Sequence, residues 1–188
     1  MNLRPEDSTL LGAPLSRGSA LDSCLEDKIF KLRSVTSRLH LLPTQEALII
    51  LRSLFSIPRL MHVLRCSPYF VHPLLLVHDT VLREGLSASV NIHMSDTQWL
   101  QASIPVKSGG LGIRRALLLA LPKFLASAVA RSDLQSTILS HGVPNVDNEM
   151  KLVWSLWCSL TATPPPVGSL QASRRAWDDS WLREIFND

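Results

Sequence analysis

Histidine and cysteine side chains are the first candidates for chemistry, because six histidines and three cysteines could supply a metal site or a nucleophile. His62 and Cys66 stand one helical turn apart, and His72 and His78 follow them. These intervals match neither a CxxC pair, nor an HExxH helix, nor a zinc-finger spacing. We therefore predict that His62 and Cys66 form a buried packing pair and that the chain binds no metal or other cofactor.

Catalysis by a nucleophile or by two metal ions needs residue patterns that this sequence lacks. It contains no G-x-S-x-G motif, and no cysteine stands in an activating setting. Two-metal nucleotidyl transfer needs aspartates that converge on a strand or hairpin. The adjacent pair Asp178 and Asp179 lies instead in a helical stretch rich in tryptophan. We interpret the pair as a solvated helix start and expect no catalytic residue.

The most informative local feature is a glycine-rich loop over residues 107–112, which precedes a long apolar stretch. Its glycines are Gly109, Gly110 and Gly112, and its flanking cations are Lys107, Arg114 and Arg115. A loop of this kind, followed by a helix N-terminus, can hold a phosphate of a nucleic-acid backbone. The alternative is a tight turn that packs a helix against its neighbour. The spacing fits neither a Walker loop nor a dinucleotide fingerprint.

Basic residues are concentrated between positions 28 and 65, although the net charge of the chain is only +3. This block contains a single acid, Glu46, and seven basic residues: Lys28, Lys31, Arg33, Arg38, Arg52, Arg59 and Arg65. Such a block suits a surface that faces a polyanion, and a solvated helix face is the alternative. The predicted nucleic-acid-binding residues are Arg33, Arg38, Lys107, Arg114 and Arg115.

Helices must position these residues, since the chain is rich in leucine and has only five phenylalanines and one tyrosine. One apolar stripe at helical spacing begins near Asp22 and comprises Leu21, Leu25, Ile29, Leu32 and Leu39. The predicted fold is mainly α. It is an irregular multi-helix bundle with a short extended N-terminal segment and a glycine-rich turn before a long helix.

Caps and helix breakers predict where individual helices begin and end. Thr44 is expected to cap the second helix, and Gly85 to end a helix that starts at Pro73. Ser95 and Gln98 form a capping box that opens a helix over residues 96–103. Further helices are predicted at about 114–130 and 146–160. The five tryptophans stand at helical spacing among leucines, which favours core packing over stacking on bases.

Three units follow from this pattern. Residues 1–20 form an extended segment, residues 21–142 a helical domain, and residues 143–188 a set of C-terminal helices with a proline-rich linker at 163–168. We expect the last apolar stripe to have little chain to pack on, as in a truncated piece. Pro5, Glu6 and Asp7 interrupt the start of the chain, so we expect no secretion. Short apolar runs predict no membrane span, and hence an intracellular location, cytoplasmic or nuclear.

Residues 95–128 resemble a segment downstream of the catalytic core in reverse transcriptases of metazoan non-LTR-type retroelements. The shared elements are an aspartate and tryptophan in a short helix, a QA-x-x-PV extension, a GGLG turn and an FLAS helix. They correspond here to Asp96, Trp99, Gln101, Ala102, Pro105, Val106, Gly109, Gly110, Leu111, Gly112, Leu119, Ala120, Phe124, Leu125, Ala126 and Ser127. Residues 9–15 resemble the family's primer-grip strand, and residues 48–69 its thumb and post-thumb region.

In that family the metal-binding aspartates lie in a Tyr-x-Asp-Asp-type hairpin upstream of the primer grip, and this chain begins after that point. The resemblance therefore implies a non-catalytic piece of an RNA-directed DNA polymerase, corresponding to the primer grip, thumb and connection. The implied partners are an RNA or DNA duplex, held through its phosphates, and the missing palm. The alternative is a helical scaffold or protein-interaction domain derived from a decayed retroelement.

Overall fold

Helices dominate the computed structural model, which describes residues 9–10, 12–14, 18–67, 70–138, 146–162, 164–166 and 174–187. The described strand structure is one short antiparallel pair, in which β1 (Thr9–Leu10) lies against β2 (Ala13–Pro14). Gly12 adopts a φ of 79° between the two strands, a backbone conformation that glycine accepts without steric cost. The predicted mainly helical fold class is confirmed. Of the predicted extended segment over residues 1–20, residues 9–10 and 13–14 form strands, residues 19 and 20 belong to α1, and residues 1–8, 11 and 15–17 lie outside the described residues.

The described helices account for most of the rest of the chain. They are α1 (Ser19–Leu39), α2 (Thr44–Ile50), α3 (Met61–Cys66), α4 (Pro73–Val90), α5 (Asp96–Ser103), α6 (Ala116–Ile138), α7 (Val146–Leu160) and α8 (Arg174–Asn187). A π-helical turn continues α2 over Leu51–Phe55, and a 3-10 turn covers Val106–Ser108. Within the described ranges, none of the helices combines the length and apolar character that a membrane span requires.

Three clusters of buried side chains hold these helices together. The first joins most of α1 to α2, α4 and α5, and Leu51 and Leu82 are fully buried in it. The second joins the start of α1 to α3, α4 and the first turns of α6. The third joins the middle of α6 to α7 and α8 around Trp157 and Trp177. Every residue of the predicted α1 stripe is buried, which confirms the periodicity that defined it.

The middle of α6 passes from the second cluster to the third. Ala120 belongs to the second cluster and Leu121 to the third, and Pro122 follows immediately inside the helix. Proline has no amide hydrogen to donate to the preceding turn, so the helical hydrogen-bond ladder is interrupted at this position. The boundary between the second and third clusters therefore coincides with the position in α6 where a backbone hydrogen-bond donor is missing.

The prediction that Gly85 ends a helix is wrong, because α4 continues to Val90. Its C-terminus is formed by Asn91, which adopts a left-handed conformation with a φ of 52°. Gly85 is instead buried where α4 crosses α1. A Cβ atom at this position would lie 2.7 Å from Cβ of Thr36, and closer still to its Cγ2. The glycine serves close helix packing rather than helix termination.

Capping was predicted correctly at one helix and wrongly at another. The box that opens α5 is present, with the Ser95 amide donating to Gln98 Oε1 at 2.9 Å and the Gln98 amide to Ser95 Oγ at 3.3 Å. Thr44 does not cap α2. It is the first helical residue, and its hydroxyl donates to the carbonyl of Ser89 at 3.1 Å, which ties α2 to the end of α4.

Replacing Gly85 by alanine tests the helix crossing. Helix propensity alone would make Gly85→Ala stabilising by about 1 kcal/mol. The collision with Thr36 should reverse the sign and lower the free energy of unfolding by about 1–3 kcal/mol in urea denaturation. Thr36→Ser, which removes Cγ2, should restore part of the loss in the double variant. An alanine variant as stable as the parent would contradict this packing.

Candidate nucleic-acid interface

The glycine turn closes the C-terminal end of α5 with its own backbone amides. The amides of Leu111 and Ile113 both donate to the carbonyl of Ala102 at 3.2 Å, and that of Gly112 donates to Ile104 at 2.9 Å. Every amide over residues 108–113 donates to the carbonyl of Ala102 or to one of residues 104–106. These donors are therefore not available to a phosphate, and the structure favours the packing-turn interpretation of this loop.

Each glycine of the turn occupies a position where another side chain would strain the backbone or collide with a neighbour. Gly109 and Gly112 have φ values of 87° and 74°. A Cβ atom on Gly110 would lie 2.6 Å from the carbonyl carbon of Ile104, so only glycine fits. A Cβ atom on Gly112 would meet the aliphatic stem of Arg52 at 3.0 Å. The turn thus brings Arg52, from the π-helical turn, next to the predicted cations.

The N-terminus of α6 is occupied by a carboxylate that the sequence analysis missed. Asp79, on α4, is 2% exposed and accepts hydrogen bonds from the amides of Ala116 at 2.6 Å and Leu117 at 3.1 Å. This buried carboxylate takes the place that an external phosphate would need at the helix end. An aspartate in the apolar run of α4 was the available signal, but only the fold shows its partner.

Arg115 lies beside the same carboxylate. Its Nε is 4.0 Å from Asp79 Oδ2 and is buried, with no hydrogen-bond partner among the described residues. His78 Nδ1 lies on the other side, 3.6 Å from Asp79 Oδ1. Arg115 was predicted to contact nucleic acid, and the structure places it next to an internal acid with only 23% of its side chain exposed.

Two other predicted cations face acidic side chains of α8. Lys107 Nζ lies 2.9 Å from Asp179 Oδ1 at the surface. Asp178 pairs with Lys123, a lysine of α6 that is 7% exposed. Arg114 is partly buried, and the charges of both aspartates act on its guanidinium. The acidic pair thus stands among three cations.

Burial and charge act in opposite directions on these cations. Burial lowers the pKa of the Lys123 ammonium. The charge and the hydrogen bond of Asp178 oppose that shift, and the positive charges of Arg114 and Arg65 add to it. Burial likewise lowers the pKa of the Arg114 guanidinium, against the attraction of Asp178 and Asp179. For both groups burial is the largest effect on the pKa, so each cation is held partly out of water beside the carboxylates of α8.

The prediction that Asp178 and Asp179 form a solvated helix start is wrong. They lie inside α8, and Asp178 Oδ1 is buried without a hydrogen-bond partner among the described residues. The expectation that the last helix lacks a packing surface is also wrong. Trp177 is 0% exposed and makes edge contacts with Trp157 and Trp154, with ring centroids 4.9 and 5.8 Å apart.

The remaining predicted cations lie on α1. Arg33 and Arg38 are exposed, and no described acidic side chain lies within 4.0 Å of either. Lys31, which precedes them on the helix, is neutralised by Asp27 at 2.7 Å. The five predicted residues are therefore distributed over α1 and the segment between α5 and α6, and the structure differentiates them. The α1 arginines are open to an external anion, whereas the other three already face internal carboxylates.

Two further predictions concern histidine, cysteine and tryptophan. His62 Nδ1 and Cys66 Sγ do lie together at 3.8 Å, but at the surface rather than buried. Among the described residues no group of three potential metal ligands converges. Core packing is confirmed for Trp99, Trp157 and Trp177, which are 5%, 0% and 0% exposed. The side chain of Trp181 lies outside the described part of the chain, as do residues 163, 167 and 168 of the predicted linker.

Removing the Asp79 carboxylate should destabilise the fold. Asp79→Ala leaves two amides of α6 without their acceptor and Arg115 without the nearby carboxylate charge, so the free energy of unfolding should fall by about 2–4 kcal/mol. Asp27→Ala removes an exposed carboxylate paired within one helix and should leave the free energy of unfolding nearly unchanged. Chemical denaturation measures both, and equal stabilities would contradict the cap.

The buried pair of α6 and α8 should behave differently when one or both partners are replaced. Lys123→Met alone leaves Asp178 poorly solvated and should cost about 1–2 kcal/mol of unfolding free energy. The double variant Lys123→Met/Asp178→Leu removes both desolvation costs and should regain stability equal to or above the parent. Thermal unfolding of the three proteins decides this. A double variant less stable than the single one would show that the pair stabilises docking.

The contacts described above come from the geometry of this chain alone. Comparison of the chain with protein-family models, curated proteins and solved structures finds no match. The likeness of residues 95–128 to a retroelement reverse transcriptase therefore stays a prediction from sequence. The structure shows a mainly helical bundle. Its glycine turn and the N-terminus of α6 are satisfied by hydrogen bonds within the chain.

Proposed function

We propose that this chain binds the phosphate backbone of nucleic acid, without sequence preference and without chemistry of its own. The supporting observation is a set of exposed arginines on the first helices. Arg33, Arg38 and Arg52 are exposed and have no described acidic side chain within 4.0 Å. The guanidinium of Arg59 lies 4.3 Å from the centre of the Phe55 ring, which orients an exposed cation without neutralising it.

The hydrogen-bond donors that remain free to contact an anion determine the kind of binding. The turn amides and the α6 N-terminus are satisfied internally, so an external anion can meet only flexible charged side chains. Long arginine side chains on helix surfaces contact phosphates as charges and do not read base edges. Binding should therefore be indifferent to sequence and driven mainly by release of counterions, which makes it weaken steeply as salt rises.

The resemblance of residues 95–128 supports the same proposal from a different direction. In the reverse-transcriptase family, the thumb holds the template-primer duplex through its backbone. The exposed arginines fall within residues 28–65, which overlap the stretch that resembles the thumb and post-thumb region. We accordingly propose a duplex as the ligand and a retroelement polymerase as the ancestor.

A second candidate function is that of a helical protein-interaction domain. It is favoured by large apolar side chains that stand in solvent: Phe30 on α1 is 72% exposed, and Leu152 and Leu160 on α7 are 71% and 52% exposed. Neither leucine belongs to the third cluster, to which α7 contributes the buried side chains of Val153 and Trp157. A partner helix could cover them. Self-association or capture of a defined protein, with no binding of nucleic acid, would favour this candidate.

Fluorescence anisotropy with a labelled duplex at about 50 and 200 mM salt tests the proposed binding. The parent should bind at the lower salt concentration and lose most of its affinity at the higher one. Arg33→Gln/Arg38→Gln should weaken binding to all sequences equally. It should also flatten the slope of log affinity against log salt by about 2, because two phosphate contacts are lost.

The matched control removes the same charge from elsewhere. Lys151→Gln/Arg175→Gln replaces two exposed cations on α7 and α8, outside the basic block. It should leave the salt slope near that of the parent. Equal effects of the two double variants would show that only net charge matters, and absence of binding by the parent at low salt would refute the proposal.

A further inference from the structure

The acidic pair of α8 lies where a polyanion would have to bind if it were to reach the glycine turn. Asp179 pairs with Lys107 at 2.9 Å and Asp178 with Lys123, and both act on Arg114 between them. Arg65 adds a further positive charge within electrostatic reach of Lys123. Among the described side chains, the cations around the pair outnumber its two carboxylates.

The docking of α8 includes apolar contacts that do not involve these carboxylates. Trp177 is fully buried against Trp154 and Trp157, and Leu182 is 8% exposed on the same helix. These apolar contacts hold α8 to α7 and α6. A helix held by its tryptophan could carry polar residues at positions 178 and 179 at no loss of packing. Two adjacent acids opposite Lys107, Arg114 and Lys123 therefore call for an explanation other than docking.

We propose that Asp178 and Asp179 form an autoinhibitory contact, in which their carboxylates occupy a second phosphate-binding surface made by Lys107, Arg114 and Lys123. This inference rests on the proposed binding of nucleic-acid backbone. Carboxylate and phosphate oxygens accept the same charge-assisted hydrogen bonds from lysine and arginine, so each can replace the other. The α1 arginines then form the open part of the interface, and the cations at the turn form a masked part.

Exposure divides the masked surface into an exchangeable and a fixed portion. Lys107 and Asp179 are 63% and 43% exposed, so a phosphate can displace this carboxylate without any movement of α8. Lys123 and Asp178 are only 8% and 18% exposed and can be reached only if α8 moves. Neutralising Asp179 alone should therefore release Lys107 while the helix stays docked.

Asp179→Asn tests the autoinhibition in the full chain, with the same labelled duplex and salt titration. It should bind about three- to eightfold more tightly than the parent at 100 mM salt, and its salt slope should steepen by about 0.9, as for one added phosphate contact. Lys107→Gln should leave the parent nearly unchanged but abolish the gain in the double variant with Asp179→Asn. Unchanged tryptophan fluorescence would verify that α8 is still packed.

Asp96→Asn is the matched control, because it removes one exposed carboxylate and frees Arg83 outside the glycine turn. If the parent binds and Asp179→Asn gains no more than Asp96→Asn, the autoinhibition is refuted while the proposed function stands. If only Asp179→Asn binds, the autoinhibition is supported and binding through α1 alone is refuted. If no variant binds even at low salt, both proposals fail.

Discussion

The capping of α6 by Asp79 is the interaction on which the rest of this structure depends. It joins the middle of α4 to the start of the longest described helix by two hydrogen bonds to a fully buried carboxylate. Because α6 contributes to both the second and the third cluster, fixing its first turn fixes the relative placement of two cores. It also sets where Arg114 and Lys123 stand, and so where α8 can bring its acids.

A protein whose backbone amides are hydrogen-bonded internally presents a different surface to an anion from one whose amides are free. Backbone donors in a rigid loop hold an anion in one geometry, whereas arginine side chains follow whatever phosphates they meet. Here the rigid donors are used to close α5 and α6, and the mobile ones remain on α1. The internal hydrogen bonds that stabilise the turn therefore leave it without free amides that could hold an anion in one geometry.

The features that sequence predicted well are those whose causes lie within one turn of helix. The α1 stripe and the Ser95–Gln98 box depend on neighbours three or four residues away, and both are present. Gly85, Asp79 and Asp178 were misjudged or missed because their partners lie 49, 37 and 55 residues distant. From local sequence alone, a glycine suggests a helix end, and an acid or an acidic pair suggests a solvated position. Only the tertiary contacts show the roles that these residues have here.

The position of Pro122 has a consequence for how cooperatively the molecule opens. It interrupts the α6 ladder at the junction between the second and third clusters. Over the described residues, the third cluster consists of the middle of α6, α7 and α8, apart from a partly buried Phe70. Amide protons beyond this point can exchange through partial unfolding that leaves the first two clusters intact. The carboxy-terminal helices thus form a separable unit of stability whose opening would expose the Lys123 ammonium.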